Sequence, residues 1–133
     1  MVGTAALTMM TLNVAPMILG HPIDIPAMIS AMMGGPPALG WLVHLILGVA
    51  VFPLAYTFVA FRFLPGAPLL RGALWGVALW ITVEVMVMPM AGNGFFGSIH
   101  GGGKAVMVAL AAHVVYGALL GAIAGKAELT RTT

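Results

Sequence analysis

At 133 residues the chain is one domain at most, and 62% of it is apolar while 6% is charged, against about 25% charged in soluble domains. Five Lys and Arg with three Asp and Glu cannot cover such a globule, and a mean hydropathy of +1.12 puts most of its surface against hydrocarbon. The net charge of +2 rests on too few side chains to signal nucleic acid, and the absence of Cys excludes disulfides, thiolate metal sites and iron–sulfur clusters.

A helix crosses a bilayer with about 17–25 apolar residues. Gly3–Gly20 is the first such stretch, short and carrying Thr4, Thr8, Thr11 and Asn13. No basic segment precedes its apolar run, so it reads as a retained span rather than a cleaved leader. Gly20-His21-Pro22 with Pro26 breaks it, and Ile25–Met33 reads as a short re-entrant or interfacial helix. Gly34-Gly35-Pro36-Pro37 leads into the second span, Leu39–Phe61. Leu64-Pro65-Gly66 with Pro68 separates it from the third, Leu69–Ala91. Gly92-Asn93-Gly94 through Gly101-Gly102-Gly103 leads to the fourth, Gly103–Gly125, and a polar tail comes after it. A membrane barrel needs alternating segments of about ten residues, whereas continuous apolar runs satisfy their backbone in lipid only as helices. The fold class is all-α: a single-domain, four-helix membrane bundle over residues 1–133.

Arg62, Arg71, Lys126 and Arg131 share one side of such a bundle, and Lys104 alone lies on the other. The positive-inside rule then places both termini in the cytoplasm and the 21–38 and 92–102 loops outside. An internal repeat accompanies this topology. His44 with Gly48 in the second span matches His113 with Gly117 in the fourth, and Pro16-Met17 with Gly20 matches Pro89-Met90 with Gly92. A two-helix unit used twice implies a pseudo-twofold axis along the membrane normal.

Ionisable groups inside a membrane are costly and point to function. His44, Glu84 and His113 lie within spans, and Asn13 joins them at a similar depth, about 10–15 Å from the outer boundary by helical rise. Tyr116, three residues after His113, adds a hydroxyl to that face. As an interhelical polar cluster, Asn13, His44, Glu84, His113 and Tyr116 would be glue between helices. As a metal site, His44, Glu84 and His113 are the residue types that hold iron or zinc. As a haem site, His44 and His113 could clamp one iron of haem b. The ten Met residues after Met1 and all four His fall in the outer half or outer loops. Of these, His21, Met28, Met32, Met33 and His100 form a candidate soft-metal loop suited to copper.

Gly92-x-Gly94-x-x-Gly97 fits the dinucleotide fingerprint by letter, but no strand precedes it and it reads as a loop. No P-loop, nucleophile elbow or His-Glu-x-x-His is present. The chain resembles a family of small bacterial four-span membrane proteins with no assigned function. The matching pieces are Ala15-Pro16-Met17 with Gly20 and Asp24; Gly40-Trp41-Leu42-x-His44 with Gly48; and Leu64-Pro65-Gly66-x-Pro68 with Arg71-Gly72. Met88-Pro89-Met90-x-Gly92-x-Gly94-x-Phe96 and His113-x-x-Tyr116-Gly117-x-x-x-Gly121 continue them over nearly the whole chain. The resemblance implies four spans in the bacterial inner membrane and brings no activity or cofactor.

The sequence supports three readings of function. The first is a non-catalytic accessory or scaffold protein, partnered by the bilayer and by copies of itself or another membrane protein. The second is a haem- or metal-binding protein using His44 and His113. The third is an oligomeric transport or channel element. No activated nucleophile or defined acid–base pair indicates catalysis.

Overall fold

The computed structural model describes residues 1–99 and 102–131, without the side chains of Phe61 and of 127–131. In chain order the helices are α1 (Val2–Leu19), the short α2 (Ile25–Met33), α3 (Pro37–Ala60), α4 (Pro68–Met90) and α5 (Gly103–Lys126). All but α2 are long and apolar enough to cross a membrane, and the described residues contain no strand. Only 17–33% of the residues in each span's apolar stretch are buried within the chain. The remaining apolar surface requires lipid or other apolar helices around it, so the chain is a membrane protein.

Local chemistry sets where the helices begin and end. Gly20 leaves α1 at φ +79°, and Gly34 leaves α2 at φ +63°, conformations that cost glycine nothing. Pro37 and Pro68 open α3 and α4, where a missing N–H is harmless. Asp24 caps α2, its Oδ1 accepting the Ala27 N–H at 2.9 Å. Asp24→Ala is expected to weaken α2 by about 0.5–2 kcal/mol. Hydrogen exchange at the first turn of α2 would then accelerate while that of α5 stays unchanged.

Close packing rests on glycine. A methyl on Gly72 would strike the Gly117 carbonyl, and one on Gly117 would strike that of Gly72. Gly76 lies against the His113 carbonyl and Gly121 against that of Pro68, so α4 and α5 touch backbone to backbone. Small residues four apart make this approach available in membranes. Gly40 similarly seats α3 on the Pro26 carbonyl of α2. The small core between the spans contains Leu7, Leu79, Ala112 and Tyr116. Gly48 faces Thr4 of α1, and Gly117 faces Gly72 and Gly76 of α4.

Three spans carry a widened π turn that ends two residues before a proline. These turns are Met10–Val14 before Pro16, Leu47–Val51 before Pro53, and Val83–Val87 before Pro89. A proline inside a helix has no N–H, and its ring strikes the carbonyl four residues back. Inserting one residue into the turn moves that carbonyl away. The bonds show the shift: Ala15 N–H reaches Met10 O, Phe52 N–H reaches Leu47 O, and Met88 N–H reaches Val83 O. The next carbonyl in each span belongs to Thr11, Gly48 or Glu84, five residues before the proline, and so loses its donor in this pattern. Two of these find one elsewhere: Ile23 N–H donates to Thr11 O at 3.0 Å, and Tyr116 O–H donates to Gly48 O at 2.8 Å. α5 has neither a proline nor a π turn.

Candidate functional site

The spans and α2 line an apolar, partly open cavity of about 150 Å³ at the end of the bundle where α2 lies. Thr4, Leu7, Thr11, His44, Gly48, Phe52, Leu79, His113 and Tyr116 are among its walls, and Met28 and Met32 of α2 close it. A wider groove of about 460 Å³ adjoins it, lined by His21, Asp24, Glu84 and Asn93 among others. Ile23, Met28, Met88 and Ala109 line both.

His44 and His113 therefore face a common cavity, each only 7% exposed. The Thr8 hydroxyl lies 2.8 Å from the Thr4 carbonyl and 2.9 Å from His44 Nε2. His113 Nδ1 donates to the Ala109 carbonyl at 2.8 Å, which leaves the lone pair of the neutral ring on Nε2. Neither His44 Nδ1 nor His113 Nε2 has a partner among the described residues. Thr4 Oγ1, on the same wall and 4% exposed, is also without one.

The other candidates separate. Glu84 is 2% exposed but lines the wider groove rather than the histidine cavity. Trp80 Nε1 donates to the Val106 carbonyl at 3.2 Å and lies beside the Glu84 carboxylate. Among the described residues no three His, Cys, Asp or Glu side chains converge on a metal position, so His44, Glu84 and His113 do not form a ligand set. Asn13 is not in the interior cluster. It lies on the exposed face of α1, with its Nδ2 donating to the Met9 carbonyl of its own helix at 3.2 Å. Tyr116 does join the cavity wall, bridging α5 to α3 through Gly48.

Of the soft-metal candidates, Met28 lines both the inner cavity and the groove, and Met32 reaches the inner cavity. Met33 is exposed, and His21 lines the groove with Nδ1 3.3 Å from the Pro22 carbonyl. His100 lies outside the described residues. The histidine cavity of about 150 Å³ is smaller than the roughly 300–1,000 Å³ of typical small-molecule pockets. The π turns and the Gly72-x-x-x-Gly76 contact of α4 with α5 escaped the sequence reading, although the prolines at 16, 53 and 89 and the glycine spacing signalled them.

These features define a polytopic helical membrane protein with an apolar cavity among its spans. Residues 1–133 match the family model of a family of unknown function (DUF6789), and the chain belongs to that family. The resemblance drawn from its motifs to an uncharacterised four-span family is thereby borne out. No curated protein and no solved structure matches the chain.

Proposed function

We propose that the protein is a non-catalytic accessory component of a bacterial inner-membrane assembly, built on association with a second copy of itself. Asn13 carries this reading. It lies on the lipid-facing side of α1, and its Oδ1 accepts no hydrogen bond among the described residues. The exposed Thr57 and Thr82 differ, since each hydroxyl donates to its own helix, to Leu54 O at 2.8 Å and Ala78 O at 2.9 Å. An amide acceptor left in hydrocarbon is costly, and polar side chains in membranes usually face other helices. A second copy supplies a matching amide across a twofold axis. The interior polar groups support a structural role as well, because Thr8 with His44 and Tyr116 with Gly48 tie α1 to α3 and α5 to α3. The cation asymmetry supports cytoplasmic termini, with the α2 end outward.

The chain has no Cys, so Met17→Cys, one turn along the Asn13 face, supplies a unique cross-linking position. Oxidation in native membranes is expected to yield a disulfide-linked dimer. Adding Asn13→Leu is expected to weaken dimerisation about tenfold, the size of an interhelical polar contact of roughly 1–2 kcal/mol. A Met17→Cys protein that stays monomeric under oxidation would overturn the reading.

A further inference from the structure

His44 ties α3 to α1 through Thr8, while His113 bonds the Ala109 carbonyl of its own helix and keeps a lone pair on Nε2 at the cavity. We propose that this cavity is a binding site for a neutral, ring-sized molecule carrying a hydroxyl group, a phenol in its simplest form. Its volume of about 150 Å³ is that of cavities known to stay dry and take up benzene. Leu7, Phe52 and Leu79 supply the apolar walls such a ring needs.

The polar atoms select the ring's substituent. His113 Nε2 is an acceptor with no partner among the described residues, and Thr4 Oγ1 on the same cavity wall is a buried hydroxyl without one. The wall therefore asks for an O–H donor. A ketone or other pure acceptor would find a partner only in Thr4. Among the described residues no Lys, Arg, Asp or Glu lines the cavity, so a charged ligand would be desolvated without compensation. Water fills the role poorly, because an apolar wall leaves most of its hydrogen bonds unmade. A bare metal ion would use the same lone pairs but bring an unpaired charge and leave most of the volume empty.

The test uses the whole chain in lipid nanodiscs with 4-fluorophenol and fluorobenzene, read by ¹⁹F NMR against protein-free nanodiscs. Both probes are expected to show a protein-bound signal, and Leu79→Phe, which fills the cavity, is expected to abolish both. In His113→Leu the affinity ratio of fluorophenol to fluorobenzene is expected to fall about tenfold, the size of one buried hydrogen bond. That ratio cancels the different aqueous solubilities of the probes. A second measurement needs no variant. In ¹⁵N-histidine-labelled wild-type protein, fluorophenol is expected to shift an unprotonated ring nitrogen upfield, and fluorobenzene is not. Absence of a bound signal for both probes would overturn the site. Equal ratios in wild type and His113→Leu, or no nitrogen shift, would overturn its selectivity for a hydroxyl.

Discussion

Gly117→Ala is expected to destabilise the bundle by about 3 kcal/mol, at the upper end of ordinary overpacking. The added methyl has nowhere to go, since it would meet the Gly72 carbonyl and lie 2.7 Å from the Gly76 nitrogen. Those atoms are backbone, and no rotamer change can clear them. Relief requires α4 and α5 to move apart along the length where Gly72, Gly76, Gly117 and Gly121 hold them in contact. Membrane helices gain little from apolar burial against lipid, so close packing carries a larger share of their association. Gly103→Ala is the control, because a Cβ there meets nothing within 4 Å. Thermal denaturation in detergent is expected to show a large loss for Gly117→Ala and almost none for Gly103→Ala. Equal behaviour of the two would mean that the glycine contact does not govern stability.

The four spans were legible because each is a long apolar run with turn chemistry at its ends, and depth along a span comes from counting residues. Rotation about a helix axis was not legible in the same way. Each π turn inserts a residue and rotates the remainder of its span by about 100° relative to an unbroken helix. Asn13 and Glu84 both sit within such turns. Counting placed them at the level of the histidines, yet Asn13 faces outward and Glu84 opens on the neighbouring groove. His113 stands in α5, which has no such turn, and His44 precedes both π turns of α3, Leu47–Val51 and Tyr56–Ala60. Those two share a cavity. The prolines at 16, 53 and 89 announced the irregularity, but Pro16 and Pro89 were read as motif residues and Pro53 was passed over, so their effect on helix phase stayed concealed. Tyr116 was legible by its spacing from His113, but its partner was not. The Gly48 carbonyl becomes an acceptor only because Pro53 withholds a donor from α3.

That last relation leads to the second large effect. Tyr116→Phe is expected to cost about 1–3 kcal/mol, the penalty for a buried carbonyl stripped of its partner. The phenyl ring keeps the packing, including the edge contact with Phe52 at 6.5 Å between centroids, so the loss isolates the hydroxyl. Pro53→Ala should remove the penalty by supplying the missing N–H. If the turn stays wide, the restored N–H at position 53 donates to the Gly48 carbonyl. If the turn tightens to an ordinary α-helix, the Phe52 N–H donates to it instead. In either geometry the carbonyl has a partner within α3, and the Tyr116 hydroxyl becomes dispensable there. A double-mutant cycle by denaturation in detergent is therefore expected to show strong coupling between positions 53 and 116. Tyr116→Phe should cost far less in the Pro53→Ala background than in the wild type. Additive losses would show that the hydroxyl does not compensate for the proline, and that the widened turn of α3 is held open by packing alone.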